Sequence, residues 1–247
     1  MPHNTEWNKN YATLADGGSV YTETNLENFI VEPWNAVSSL AIILPAVYWL
    51  YKLRGKYKEN WFLTCCIPLL FLGGLGSTLY HAFRTSSFLL LLDFLPILVL
   101  SFVVGVHLWM KVLKKWTYVG LLFLIIIAFR IVVPDMLSHH DAINLRYFIN
   151  GCMIFLPGLM LVIINKGKGS VQFSLALVFF ILALVCRKID AFTPALLGQG
   201  THWLWHIFTG IGTVFLSQYL FLLEKMTVQT RKGKFSFLRK KEIESVI

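Results

Sequence analysis

Charge is scarce in this chain of 247 residues, because Asp, Glu, Lys and Arg together make up only 14% of it. Hydrophobic residues make up 56%, and the mean hydropathy is +0.64. A composition this apolar excludes an ordinary soluble domain. The sequence therefore indicates an integral membrane protein.

Cysteine is rare as well, and the four cysteines all lie inside apolar runs. Cys65 and Cys66 are sequence neighbours, which makes them poor disulfide partners, and the four show no spacing typical of a metal-binding motif. We expect all four to be packing residues. The polar residues 1–32 also lack the basic start, apolar stretch and cleavage site of a secretory signal, so the first apolar segment is expected to direct insertion.

Seven apolar segments have the length of membrane spans, and short polar connections with charges and turn formers join them. They cover approximately residues 33–51, 61–83, 87–110, 117–133, 146–165, 171–189 and 201–223. At about 20 residues a span, roughly 107 residues remain for ends and loops, too few for a large soluble domain. The expected fold is an all-α membrane protein, a seven-transmembrane helix bundle. It consists of a polar N-terminal segment (1–32), a transmembrane domain (33–223) and a basic tail (224–247).

The basic residues are distributed unevenly between the two sides of this bundle. Sixteen of the 22 Lys and Arg residues fall in the tail and in the connections after the first, third and fifth segments. Cytoplasmic loops retain Lys and Arg, so the N-terminus is predicted outside and the C-terminus in the cytoplasm. We interpret the net charge of +9 as an orientation signal and expect no nucleic-acid partner. We interpret the tail run Arg231 to Lys241 as a cytoplasmic stop signal, and its docking on anionic lipid or nucleic acid is the alternative.

Ionisable residues inside the apolar segments are few, and they are candidates for function because charged groups are costly in a membrane. His81 closes the second segment, with Ser77 one helical turn before it. Asp93 is the one acidic residue well inside a segment, and His202 and His206 open the seventh. In the predicted orientation all of these segment ends lie on the outer side. Because successive segments cross the membrane in opposite directions, we predict that the five residues lie in one layer near the outer surface.

The spacing of the histidines favours a metal site. His202 and His206 are four residues apart, so both imidazoles face the same side of a helix. Together with His81 they would fill three positions of a tetrahedral zinc site and leave the fourth for water, as in catalytic zinc sites. Zinc held in this way lowers the pKa of that water to about 7. Asp93 would then hold the water and transfer its proton, and Ser77 would donate to a developing oxyanion.

Each of these residues also has a purely structural interpretation. A histidine in a membrane is often a hydrogen-bonded helix contact, and Asp93 could pair with Arg84. Ser77 could belong to a small-residue helix contact with Gly73-Gly74-Leu75-Gly76. A haem bound by two histidines is a further alternative. A retinal pump is excluded, because the seventh segment has no lysine for a Schiff base.

The order Ser77-x-x-x-His81, Asp93 and His202-x-x-x-His206 resembles the signature of the alkaline ceramidases. Three flanking stretches strengthen the resemblance: Glu-Pro-Trp-Asn-Ala-Val-Ser-Ser-Leu at 32–40, Leu-Pro-Ile at 95–97 and His-Ile-Phe-Thr-Gly at 206–210. It extends from about residue 21 to the end of the seventh segment. This family belongs to a superfamily of seven-span hydrolases that also contains the adiponectin and progestin receptors.

The resemblance implies that His81, His202 and His206 bind zinc, that Asp93 activates the water and that Ser77 lies near the reaction centre. It implies a hydrolase that cleaves the amide of ceramide, a membrane lipid, to a sphingoid base and a fatty acid. The active site would lie towards the extracytoplasmic side. Two alternatives remain: a hydrolase of another acyl lipid, and a lipid-sensing receptor of the adiponectin and progestin receptor type, which has the opposite orientation.

The resemblance also implies a calcium site, because some members bind calcium in the polar N-terminal segment. Glu23, Asn25 and Glu32 match ligand positions of that site, and carboxylate and amide oxygens suit calcium. Val20 stands where the family has an Asp. The alternative is that Glu32 and Asn35 cap and lock the first span.

Overall fold

The computed structural model describes residues 14–132, 137, 139–190 and 197–244, and the side chains of these residues up to 227 except those of 139 and 140. It consists of seven α-helices. They are α1 (Pro33–Lys52), α2 (Trp61–Phe83), α3 (Ser87–Leu113), α4 (Trp116–Val132), α5 (His139–Ile164), α6 (Ser170–Ile189) and α7 (His202–Glu244). The described residues contain no strand, so the predicted all-α fold is confirmed. All four cysteines lie in the described ranges and are free.

Local chemistry sets the helix ends that surround the site. α1 begins at Pro33, where the missing N–H costs nothing because the first N–H groups of a helix have no intrahelical acceptor. The carboxylate of Glu23 accepts hydrogen bonds from the backbone N–H groups of Trp34 and Asn35. α2 ends at Phe83, and the backbone of the following Arg84 adopts the left-handed conformation with φ 51°. The chain therefore turns sharply just after the last turn of α2.

Six of the seven helices are long and apolar enough to cross a membrane. α4 has 17 residues, which makes it about 25 Å long against a hydrocarbon core of about 30 Å. Large apolar side chains such as Leu44, Ile125 and Ile163 are exposed. That exposure is expected where lipid replaces water around a helix. The structure therefore fits a multi-pass membrane protein.

Two helices extend beyond the apolar segments predicted from the sequence. α5 begins at His139 and not near residue 146, and α7 continues from the apolar region through the basic tail to Glu244. Hydropathy marks where a helix is apolar and not where it ends, and Lys, Arg, Gln and Glu are good helix formers. The boundary at residue 223 therefore marks a change of composition within one helix.

The helices α1, α2, α3, α5, α6 and α7 form a closed ring, in which each packs against the next and α7 returns to α1. α4 lies outside this ring against α3 and α5. Inside the ring is a cavity of about 490 Å³, lined by residues of all seven helices and of the N-terminal segment. The ring brings the last turn of α2 and the first turns of α3 and α7 to the wall of this cavity.

Gly210 marks a close approach of α1 and α7, because a Cβ there would overlap the carbonyl oxygen of Ala41. We expect Gly210→Ala to lower the free energy of unfolding by about 1–3 kcal/mol, since the backbone of α1 must move away. Gly120→Ala on α4 is the matched control, because the new methyl group would meet no described neighbour within 4 Å and alanine favours a helix. Thermal unfolding of both variants in the same detergent measures the difference. Equal melting temperatures would contradict this packing.

Candidate active site

Three buried histidines meet at the wall of the cavity. His81 comes from the last turn of α2, and His202 and His206 come from the first two turns of α7. One ring nitrogen of each lies within 4.8 Å of those of the other two, and the ring centroids are 4.8 to 5.3 Å apart. Each side chain is at most 2% exposed. The structure thus brings the three predicted metal ligands together.

Hydrogen bonds from neighbouring side chains orient two of the rings. Oε2 of Glu32 lies 2.5 Å from Nδ1 of His81. The hydroxyl of Ser38 lies 2.9 Å from Nδ1 of His206, and that of Ser39 lies 3.3 Å from the same atom. Because Nδ1 is engaged in both rings, Nε2 is the nitrogen left to bind an ion, as is usual for metal-binding histidines.

His202 is held by stacking, with its ring centroid 3.7 Å from that of Tyr21. Its Nδ1 is buried and has no hydrogen-bond partner among the described residues. A buried ring nitrogen without a partner, beside two other imidazoles, fits a metal site, because buried polar atoms normally have a partner. The three histidines could therefore hold a metal ion, and three imidazole donors suit zinc.

Asp93 and Ser77 line the same cavity as the histidines. Ser77 is 3% exposed and accepts a hydrogen bond of 3.0 Å from the hydroxyl of Ser39. Asp93 is half-buried in the second turn of α3, where its carboxylate interacts with the Ser77 hydroxyl and with His81. Asp93 and the three histidines thus line one cavity.

A chain of buried charges lies behind His81. The Arg84 Nε donates to Oδ2 of Asp16 at 2.8 Å, and Nη1 of Arg84 donates to Oε1 of Glu32, the carboxylate that contacts His81. All four side chains are at most 5% exposed. Burial by itself would raise the pKa of Glu32, but His81 and Arg84 hold this pKa below its ordinary value, so that Glu32 is ionised at neutral pH. Arg84 therefore pairs with Asp16 and Glu32, and not with Asp93 as one interpretation of the sequence suggested.

The oxygens expected to bind calcium are engaged by donors of the protein itself. Both carboxylate oxygens of Glu23 accept backbone N–H groups from the first turn of α1. Oδ1 of Asn25 accepts a hydrogen bond from the backbone N–H of Glu27. Oε1 of Glu32 accepts from Arg84, and Oε2 of Glu32 contacts His81. Calcium binding at these three residues stays a prediction. The acid that caps α1 is Glu23, not Glu32.

Several residues of the site were not singled out from the sequence. Ser38 and Ser39 lie with Asn35 on one face of α1, and this polar stripe in an apolar helix is a signal that could have found them. Asp16 and Tyr21 carry no comparable signal. Their role depends on how the N-terminal segment folds against the helix ends.

Comparison with known protein families assigns the chain to a family. None of the curated proteins compared with the chain matches it. A family model described as Ceramidase matches residues 22–246, nearly the whole chain. The matched range contains every residue predicted for the site. With its all-helical membrane fold and its buried histidine group, the chain belongs to the ceramidase family.

Proposed function

We propose that the protein is a zinc-dependent amide hydrolase that cleaves ceramide within the membrane to a sphingoid base and a fatty acid. Membership in the ceramidase family supports hydrolysis of a ceramide amide. The observation that carries the proposal is the buried group of three histidines at the wall of a cavity of about 490 Å³ that Asp93 also lines.

Each residue has a distinct part in this reaction. His81, His202 and His206 hold the metal, and bound zinc supplies a Lewis acid together with a nucleophilic water at neutral pH. Asp93 takes the proton of the attacking water and delivers it to the leaving amine. Ser77 has one hydroxyl proton, which it donates to Asp93 before the reaction and to the negative charge on the amide oxygen once Asp93 has taken the proton of the water.

The location of the site suits a substrate with two hydrocarbon chains. In our proposal α4 also crosses the membrane, which brings the number of spans to seven. The N-terminus then lies outside and the C-terminus in the cytoplasm, as the distribution of Lys and Arg indicates. The histidines then lie one or two helical turns below the extracytoplasmic surface. The amide of a ceramide lies near the head-group boundary, so this depth allows the lipid to enter sideways from the membrane.

Turnover by the purified protein tests the proposal directly. In detergent or nanodiscs with zinc, the protein is expected to release a sphingoid base from ceramide and to lose this activity on zinc removal. Full turnover without metal would rule out the zinc mechanism. A panel of amide and ester lipids with matched chains separates a ceramidase from a hydrolase of another acyl lipid, and saturable binding without turnover would instead indicate a receptor.

Asp93→Asn is the sharpest test of the proton-transfer role, because it preserves the size of the side chain but removes the base. We expect kcat to fall by about 10²–10⁴-fold, with unchanged zinc content. The matched control is Glu224→Gln, which removes a carboxylate that pairs with His107 and Lys111 at the other end of the apolar part of α7. Initial rates and metal analysis of both variants check the prediction. A wild-type rate in Asp93→Asn would exclude Asp93 as the base.

A further inference from the structure

Arg187 is a buried cation at the wall of the cavity that holds the histidines. It lies in the last turn of α6 and is 3% exposed. Nη1 donates to the phenol oxygen of Tyr21 at 3.2 Å, whereas Nε has no hydrogen-bond partner among the described residues. None of the salt bridges within the described part of the chain involves Arg187. The charge of Asp93 attracts this guanidinium but forms no salt bridge with it. A buried guanidinium without a salt bridge is costly, so its presence calls for a ligand.

Aromatic rings hold this guanidinium without satisfying its donors. Its central carbon lies 5.7 Å from the ring centroid of Tyr21, 4.9 Å from that of Tyr147 and 5.7 Å from that of Trp205. Such contacts stabilise the charge through the faces of the rings. They leave N–H groups for a planar oxyanion, to which a guanidinium offers two parallel hydrogen bonds.

The charge of the whole cavity also favours an anion. Arg130 and Arg146 line it together with Arg187, and Arg130 is held by the side-chain oxygen of Asn150. Among the described residues that line the cavity, Asp93 is the only acidic one. An uncharged lipid amide needs no such excess of positive charge. A cavity lined mainly by one sign of charge concentrates ligands of the opposite sign.

Arg187 is also close to the place where the amide would be cleaved. The Tyr21 ring that contacts its guanidinium stacks directly on His202. We propose that Arg187 binds an oxyanion of the lipid, either the carboxylate of the released fatty acid or an anionic head group of the substrate. This inference rests on the proposed function for the choice of a lipid, but the binding it describes requires no turnover.

Equilibrium binding tests the assignment with a long-chain fatty acid and its primary amide of equal chain length. Both compete with a fluorescent fatty-acid probe on the purified protein in nanodiscs. We expect the wild type to bind the acid at least about tenfold more tightly than the amide. In Arg187→Met this ratio of affinities is expected to fall about tenfold. Because zinc can also bind a carboxylate, all proteins are compared at equal zinc content.

Lys188→Met is the matched control, because the neighbouring Lys188 is half-exposed and pairs with Asp141. This variant should discriminate as the wild type does. Equal affinity of the wild type for acid and amide, together with equal kcat/KM for ceramide phosphate and ceramide, would overturn the assignment, and so would full discrimination in Arg187→Met. If Arg187→Met does not fold, Arg187→Lys replaces it. A single ammonium cannot form the two parallel bonds, so its discrimination must be lower than that of the wild type for the assignment to stand.

A kinetic experiment distinguishes the two sources of the oxyanion. If the head group carries it, ceramide phosphate is cleaved with a higher kcat/KM than ceramide, and Arg187→Met removes this difference. If the released fatty acid carries the oxyanion, Arg187→Met loses product inhibition by that acid and cleaves ceramide and ceramide phosphate with equal kcat/KM. A protein that binds the acid through Arg187 but cleaves no amide would end the proposed function and leave this inference standing.

Discussion

His206→Ala is expected to abolish the proposed hydrolysis of ceramide together with zinc binding. The variant removes one of three imidazoles whose ligand atoms lie within 4.8 Å of one another, and the remaining two cannot complete a catalytic zinc site. Without zinc, a water at this site would lack the activation that the metal would supply. We expect kcat/KM to fall by on the order of 10³-fold or more. Product analysis and the zinc content of the purified variant measure the two losses together.

His107→Ala is the matched control for the loss of an imidazole from the membrane region. His107 lies on α3, where it pairs with Glu224 and stacks on Phe62, outside the histidine group. This variant should retain both zinc and turnover. Ser38→Ala should show an intermediate effect, because His206 loses its closest hydrogen-bond partner but keeps all three donors to the metal. Wild-type zinc content and turnover in His206→Ala would remove the basis of the proposed function.

Much of this site could be predicted, because apolar runs and the ionisable residues at their ends are visible locally in the sequence. The order of the runs then assigns each end to one side of the membrane. Long apolar runs locate the helices, and an ionisable residue at the end of such a run stands out against its neighbours. His81 and His202 lie on different helices, yet alternation of the chain across the membrane assigns both to one side. The structure places these ends together at the wall of one cavity.

The residues that support the site were harder to predict, because their partners are distant in the sequence. Asp16 contacts Arg84 across 68 positions, and neither residue belongs to a periodic pattern. Hydropathy also gives no order of helices around a ring, so the position of α4 outside it could not be inferred. Arg187 illustrates the same difficulty. The sequence shows a basic residue at a helix end, and only the packing of α6 shows that it lines the cavity.

Arg84→Met should cause the largest loss of stability, because it leaves two carboxylates buried without their cation. Arg84 contacts both Asp16 and Glu32, and all three side chains are at most 5% exposed. Removing one partner from a buried ionic group costs about 3–5 kcal/mol, whereas an exposed pair contributes about 1 kcal/mol or less. Lys188→Met, which breaks the exposed pair with Asp141, is therefore the control. Denaturation of both variants in the same detergent compares the losses, and similar losses would contradict this prediction.

Two variants in the same chain of charges distinguish a general loss of stability from a specific loss of zinc binding. Glu32 contacts both Arg84 and Nδ1 of His81, so Arg84→Met should also misorient His81 and weaken zinc binding by about 10–100-fold. Asp16→Asn removes the far end of the chain but leaves the contact between Arg84 and Glu32 intact. This variant should be less stable yet retain zinc nearly as the wild type does. Equal zinc loss in both variants would mean that Arg84 acts through overall stability and not through the orientation of His81.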